Sequence, residues 1–479
     1  MSTLEQTVSE FDTVPSVALA RIAAHDGPVF VDLDETLYLR NSTEDFIDLA
    51  RPGFIAALLL RSLDVIKPWR WSGGEIARDL WRVRLVMTLF PWVRFQWPRR
   101  VRRLALVFGN RQLLAAFERH AIRPIILTAG FRPIVTPLVA ALGLPEALIV
   151  AARLDDSTDR IRGKLRCAVD ALGEETLHRG LLITDSVHDL PVLRACKHPI
   201  RTVWPGASCR RALADIYLPG EYLTRVKRPG AHYIRRGILQ EDFAFWVLSS
   251  IALAPEPVWH VAGLLLMLAS FWTVYERGYV DNDAAALTYE RDPKVEAAYW
   301  EAPVATPPVQ PWIWAFALGA LGVAALRWPG MAAASDFAIW TLTLVACHLW
   351  FKLYNRFDKG TRVWMYAGLQ LARVAAFAVL VPVLPIGAVA LGANALSRWV
   401  PYHLYRCTGN RWPQRDDSSL IRLTYFIVLA MLLGPSAGAA AVLNWTALLL
   451  LAWNVYRARH ALKALLTSAR RLDRAGSEA

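Results

Sequence analysis

Cysteine is scarce and scattered in this chain. The 479 residues include five, Cys167, Cys196, Cys209, Cys347 and Cys407, with no CxxC pair. That argues against a disulfide framework or a thiolate metal site and fits a reducing compartment. Zinc-finger spacing, a basic zipper and an RNA-recognition signature are also missing, so nucleic acid is not an expected partner. The opening residues, MSTLEQTVSEFDTVPS, are polar and acidic without a signal-peptide pattern, and the first domain is expected to stay in the cytoplasm. Charge is in short supply at 20% of residues, against 55% apolar, and mean hydropathy is +0.28. These values exceed those of a soluble globular protein and point to membrane insertion of part of the chain. Acid is scarcer than base, 41 against 54, a balance that suits an anionic leaflet or phosphate-rich substrates. Tryptophan, by contrast, is abundant at 20, and indole rings gather at membrane–water interfaces.

The length suggests two or three domains. The first half is organised around Phe30-Val31-Asp32-Leu33-Asp34-Glu35-Thr36-Leu37, an apolar run that ends in two carboxylates one residue apart. Apolar runs at 28–33, 123–128, 147–151 and 180–185, with a weaker one at 200–204, have strand character. Helical patterns at 112–120, 133–142 and 165–178 separate them. Alternating strands and helices predict a doubly wound parallel sheet, with the aspartates where the first strand emerges. Other strand ends and loops carry Thr128-Ala129-Gly130, the cation Lys164 after Gly163, and Asp185 with Asp189 four residues later. Singly, each is ordinary turn or cap chemistry. Together they make a phosphoryl-transfer set of carboxylates for a hard cation, a hydroxyl and a lysine for phosphate oxygens, and a nucleophilic aspartate.

In the order of these four motifs, residues 28–205 resemble the haloacid dehalogenase superfamily of aspartate-nucleophile phosphatases. The resemblance implies a Rossmann-like α/β domain with a helical cap and phosphoric monoester hydrolase activity. Asp32 would be the nucleophile and Asp34 the acid/base, while Thr128 and Lys164 would hold the phosphoryl group. Asp32, Asp34, Asp185 and Asp189 would bind Mg²⁺. Glu35 stands where many members carry glycine. The cap falls at about 39–111, and its composition is unusual. The apolar run 53–60 precedes a tract in which Lys67, Arg70, Arg94, Arg99, Arg100, Arg102 and Arg103 interleave with Trp69, Trp71, Trp92, Phe95 and Trp97. Such a tract suits an interfacial surface facing anionic headgroups, or an ordinary cap with a solvated basic face.

Beyond residues 1–221 the character changes. A basic juxtamembrane linker is expected at 222–242, and a basic cytoplasmic tail at 457–479. Between them, at 243–456, apolar segments near 243–256, 258–275, 311–328, 336–354, 364–382, 384–397, 419–434 and 437–456 predict an all-α polytopic domain of about eight spans. Polar residues at the span ends are the informative ones. Glu276, Asp283 and Glu290 lie seven apart on one helical face, with Asn282 beside them. Arg356 follows the fourth span, and Asp416 and Asp417 follow the sixth. The Asn282-Asp283 and Asp416-Asp417 positions resemble the UbiA superfamily of intramembrane prenyltransferases, although Ala286 and Glu290 stand where that family repeats aspartate. The two resemblances together imply a bifunctional enzyme of the inner or plasma membrane, using Mg²⁺ and a polyprenyl-phosphate or other lipid-linked phosphorylated substrate among membrane lipids. Its membrane half would be a transferase of prenyl or phosphoribosyl type. The alternative keeps the phosphatase and makes the helices a non-catalytic anchor or lipid-binding scaffold.

Overall fold

The computed structural model describes residues 9–156, 158–291, 293–301, 304, 306–408 and 418–468. The chain divides into two compact units, Met1–Ile216 and Tyr217–Ala479.

The first unit is built on five parallel strands, β1 (Val29–Val31), β2 (Ile125–Phe131), β3 (Ile149–Ala152), β4 (Leu181–Thr184) and β5 (His198–Arg201), in the order β3-β2-β1-β4-β5. Val31 pairs with Ile126 on one side and Ile183 on the other. β1 and β4 are buried along their whole length, which is why their sequences read as unbroken apolar runs rather than alternating ones. The chain leaves β1 toward β2 and β3, then returns to place β4 on the opposite side. The topological switch point is therefore the crevice between the carboxyl ends of β1 and β4, where ligands bind in open α/β sheets. β5 lies two residues earlier than expected and includes Pro199, which an edge strand tolerates.

The helices of this unit are α1 (Pro15–Ala23), α2 (Ser42–Ile47), α3 (Gly53–Ile66), α4 (Arg78–Leu89), α5 (Val93–Phe108), α6 (Arg111–Arg119), α7 (Arg132–Ala141), α8 (Thr158–Leu172), α9 (Glu174–Arg179) and α10 (Leu190–Ala195). The stretch 39–111 is helical throughout its regular structure. In α5, Val93, Trp97, Val101 and Leu104 recur at helical spacing and turn inward, leaving Arg94, Arg99, Arg100, Arg102 and Arg103 exposed. Polar ties fasten these helices to the sheet body. The Trp97 indole donates to the Ile134 carbonyl at 2.9 Å, and Arg84 Nε donates to the Leu154 carbonyl at 2.9 Å.

The second unit is helical: α11 (Ala244–Ser250), α12 (Pro257–Tyr289), α13 (Gln310–Leu326), α14 (Ala334–Tyr354), α15 (Arg362–Ala375), α16 (Pro385–Cys407), α17 (Ser418–Ala437) and α18 (Trp445–Ser468), with short turns between. Each of the eight apolar segments read from the sequence contains helix. Among the described residues, three helices are long and apolar enough to cross a membrane, α12, α14 and α17, and the shorter α13 is equally apolar in character. Only 22% and 17% of the most apolar windows of α14 and α17 are buried inside the protein. Apolar surface left outward on that scale needs a non-aqueous neighbour. α12 and α13 approach closely at Gly263 and Gly322, where a Cβ on Gly263 would sit 2.9 Å from the Gly322 carbonyl oxygen. Small residues at helix crossings serve this purpose in membranes. The segment 222–242 contributes helical turns Leu223–Lys227 and Ile234–Phe243, and Leu223, Val226 and Ile238 are buried.

Candidate active site

Asp32 follows directly on β1, and its N–H donates to the Ile183 carbonyl at 2.9 Å, extending the pairing with β4 by one residue. That fixes its carboxylate at the switch point, 6% exposed. Its Oδ1 accepts from the Leu33 N–H at 2.8 Å and lies 3.0 Å from Lys164 Nζ. The same ammonium reaches Asp189 Oδ2 at 2.6 Å. Thr184, the last residue of β4, gives its hydroxyl proton to Asp189 at 2.7 Å and lies 3.3 Å from Asp32 Oδ2. Asp185 is oriented separately, its Oδ1 accepting from the Thr36 hydroxyl at 2.9 Å. The Asp185 N–H donates back to the Thr36 oxygen at 3.1 Å.

The turn after β1 brings Asp34 to the start of α2, where its Oδ1 accepts from the Ser42 N–H at 2.7 Å. Unpaired N–H groups at a helix start favour a carboxylate there. Between the two aspartates' strand and that helix, Glu35 takes a left-handed conformation, φ 58°. This turn geometry is one glycine adopts without cost.

Thr128 lies two residues beyond Ile126 on β2, at the same end of the sheet, and its Oγ1 accepts from the Gly130 N–H at 3.0 Å. A Cβ at Gly130 would come within 2.8 Å of Val135 and 3.2 Å of the Thr128 hydroxyl. Only glycine leaves the backbone open there, as a close-approaching phosphate oxygen requires.

Lys164 begins the second half of α8, which kinks at Gly163 with φ 82° and ψ 161°. A Cβ at Gly163 would meet nothing within 4 Å, so the constraint is backbone geometry alone, in a region essentially reserved for glycine. Gly163→Ala is expected to destabilise the protein by about 1–3 kcal/mol and to misplace the ammonium, lowering kcat more than it raises KM. Thermal unfolding and steady-state kinetics on the same preparation check both halves, and an unchanged kcat would remove the positioning role from Gly163.

Burial, reinforced by Asp189 and Asp185 and opposed by Lys164, pushes Asp32 up to about 8. Burial also raises Asp34, to about 6, against the Ser42 N–H that favours its charged form. Burial pulls Lys164 down, but Asp32 and Asp189 outweigh it, and the ammonium is held above its ordinary value. Three carboxylates around one ammonium leave the crevice short of positive charge, and a hard divalent cation would supply the deficit. Asp32 and Asp185 would hold it, with Asp189 beside them, where Lys164 and Thr184 both bond Oδ2. Among the described residues no group of three or more His, Cys, Asp or Glu side chains forms a metal cage. Mg²⁺ does not need one, being held by one or two carboxylates with water and substrate phosphate completing its shell. The donor set fits.

Asp32, Lys164 and Asp189 thus meet by direct contact at one crevice, and Thr128 lies at the same end of the sheet on the neighbouring strand. Thr36 and Thr184 are the participants that sequence reasoning passed over, although both lie inside the quoted runs. The available signal was a hydroxyl close to an active carboxylate, Thr184 directly before Asp185 and Thr36 two residues after Asp34.

The acidic residues of the second unit are placed differently. Glu276 is 1% exposed and accepts from the Tyr217 hydroxyl, from Gly220 N–H at 2.9 Å and from Leu223 N–H at 2.6 Å. Asp283 is 2% exposed, accepts from the Tyr222 hydroxyl at 2.8 Å and pairs with Lys227 at 2.5 Å. Glu290 pairs with Arg362 at 2.6 Å and Lys359 at 2.8 Å. Asn282 is half-buried, and Arg356 lines a separate cleft. Asp416 and Asp417 lie outside the described residues. Glu276 and Asp283 share a side of α12, but the helix ends at Tyr289 and Glu290 follows in extended backbone, so the expected single face does not reach it. Each acid is held by its own donors rather than gathered into one acidic cluster.

No curated protein and no solved structure gives a match to the chain. Residues 29–194, which contain Asp32, Asp34, Thr128, Lys164, Asp185 and Asp189, match the family model of haloacid dehalogenase-like hydrolases and form a hydrolase domain of that family.

Proposed function

We propose that the first unit is a Mg²⁺-dependent phosphatase that works through a phospho-aspartate, and that the helical unit anchors it beside a membrane-borne phosphate ester. The observation that carries the reading is the Asp32–Lys164–Asp189 bridge at the switch point, with Asp34 held one turn away at the start of α2. An Asp32 carboxylate oxygen attacks the phosphorus, forming the acyl-phosphate bond as the ester P–O bond breaks. Asp34 gives its proton to the departing alkoxide. Asp34, now ionised, takes a proton from water, whose oxygen attacks the phosphorus and releases inorganic phosphate and free Asp32. Thr128 and Lys164 hold the phosphoryl oxygens through both steps. A bound Mg²⁺, held by Asp32 and Asp185, would neutralise charge on those oxygens.

A lipid-linked substrate, of polyprenyl-phosphate type, is favoured by the surface of the cap. Phe54, Ile55, Leu58, Val65 and Ile66 of α3 are exposed, as are Trp71 and, on α5 itself among its outward arginines, Phe95. Exposed apolar rings among cations suit an anionic membrane surface. The basic residues Arg225, Lys227, Arg228, Arg235 and Arg236, just ahead of the apolar helices, favour a cytoplasmic first unit at the inner or plasma membrane. We do not extend the proposal to a prenyl or phosphoribosyl transferase. Glu276, Asp283 and Glu290 already satisfy donors of their own, and Ala286 leaves the resembling acidic motif incomplete.

The full-length protein in mixed micelles is expected to release phosphate from a polyprenyl monophosphate faster, by kcat/KM, than from a soluble phosphate monoester. Chelation should stop release and added Mg²⁺ restore it. Absence of release from any monoester with Mg²⁺ present would end the phosphatase reading. Asp34→Asn supplies a finer check. It is expected to slow hydrolysis of alkyl phosphates by about 10²–10⁴-fold while sparing acyl-phosphate formation from p-nitrophenyl phosphate, whose leaving group needs no proton. Equal slowing of the acyl-phosphate-forming step for both substrates, read in the pre-steady-state burst, would take the acid role away from Asp34.

A further inference from the structure

The second unit contains a polar cleft that the phosphatase reading does not use. Its volume is about 500 Å³, and it opens between α12, the start of α13 and the end of α14. α12 supplies Arg277 and Asp281, one turn apart. His348, Lys352, Asn355 and Arg356 recur at helical spacing along α14 and just past it, so they share one side. Trp312 closes a wall, its ring edge-on to His348 with centroids 5.3 Å apart.

Three features of this lining point to an anion. Arg277 is balanced by Asp281 at 2.8 Å, whereas the side chains of Lys352 and Arg356 form no ion pair or hydrogen bond among the described residues. Two cations therefore face the cleft unbalanced. Next, both amide atoms of Asn355, and Nδ1 of His348, are buried without a hydrogen-bond partner. Buried polar groups are almost always bonded, and a ligand that bonds them removes the cost of leaving them bare. Finally, the charged residues begin where the apolar run of α14 ends, at the depth where lipid headgroups lie. Guanidinium, ammonium, amide and imidazole together are the groups that hold phosphate oxygens.

We infer that this cleft binds a phosphate or diphosphate group, carried either by a lipid headgroup or by a soluble ester. Lys352 and Arg356 supply the charge, and Asn355 and His348 fix the orientation. The site is separate from the crevice of the hydrolase domain and does not depend on hydrolysis at Asp32.

The test uses the full chain in neutral-detergent micelles, in an Asp32→Asn background so that no probe is consumed. Labelled inorganic diphosphate is followed by equilibrium dialysis, and phosphatidic acid doped into phosphatidylcholine micelles by native mass spectrometry. Lys352→Ala/Arg356→Ala changes two exposed side chains and should leave thermal unfolding unaltered. It is expected to weaken binding of at least one probe tenfold or more, with Arg356→Gln giving an intermediate loss. Loss confined to phosphatidic acid assigns the cleft to a lipid headgroup, and loss confined to diphosphate assigns it to a soluble ligand. Affinities for both probes within twofold of the parent, or no binding of either by the parent, would overturn the site.

Discussion

Replacing Asp32 by asparagine is expected to lower phosphate release by on the order of 10⁴-fold or more, with the fold intact. The side chains are nearly isosteric. The amide oxygen can still accept from the Leu33 N–H, as Asp32 Oδ1 does at 2.8 Å. What disappears is the anionic oxygen that attacks phosphorus, and a neutral amide oxygen does not replace it. The fold should not suffer, and the direction of the pKa shift says why. The Asp32 value rises from 3.8 to about 8 in the folded protein, through burial first and then through Asp189 and Asp185 against the pull of Lys164. For a carboxyl raised in this way, the unfolded state releases its proton before the folded state does. Stability from this group is complete below about pH 4 and is lost as pH rises toward 8. Near neutral pH in chelator, asparagine removes a group that disfavours the fold, so the variant should melt no lower than the parent. Steady-state phosphate release and thermal unfolding in chelator check the two halves. Activity within tenfold of the parent would assign the nucleophile elsewhere, and a large fall in melting temperature would make lost activity uninformative.

The fold of the first unit was legible because its evidence is local. Unbroken apolar runs at β1 and β4 signal strands buried on both faces, and the helical patterns between them leave a parallel sheet as the economical arrangement. The site was legible because each motif falls at a strand end or beside a glycine. What sequence could not supply was the division of labour among neighbours from distant positions. Asp185 and Asp189 look equivalent as letters, yet Asp189 is bound to Lys164 and Thr184 while Asp185 is held by Thr36. That division depends on which side of the β4–α10 turn each carboxylate occupies. Glu35 reads as a departure from glycine, and its φ of 58° shows that the backbone kept the glycine-type turn regardless. In the second unit, periodicity identified the side of α12 that carries Glu276 and Asp283 but not what covers it. The covering groups, Tyr217, Tyr222 and Lys227, come from a stretch more than fifty residues earlier. Its basic composition reads as a solvated linker until its contacts are known.

The turns Ile234–Phe243 that follow this stretch supply Asp242, one half of the pair with Arg373 of α15 whose disruption should cost the second unit most. Asp242 is 0% exposed, and its carboxylate accepts from Arg373 Nε at 3.0 and 2.8 Å and from the Trp272 indole at 3.2 Å. Arg373, 2% exposed, also donates to the Gly237 carbonyl at 2.9 Å and lies 4.9 Å from the Trp272 ring centroid. Arg373→Met is expected to destabilise the protein by about 3–5 kcal/mol, because it strands a buried carboxylate. The nearest other cation, Arg398, stands 4.0 Å away and is shared with Glu241. Asp242→Asn should cost less, since the guanidinium it strands keeps the Gly237 carbonyl and the face of Trp272. Removing both charges in Asp242→Leu/Arg373→Met should recover much of the loss, as neutral pairs of similar volume replace buried ion pairs at little cost. Chemical unfolding of the three variants in detergent ranks them. If Arg373→Met fell within 1 kcal/mol of the parent, the Ile234–Phe243 turns would be a passive link, and the ion pair would not be what joins them to α15.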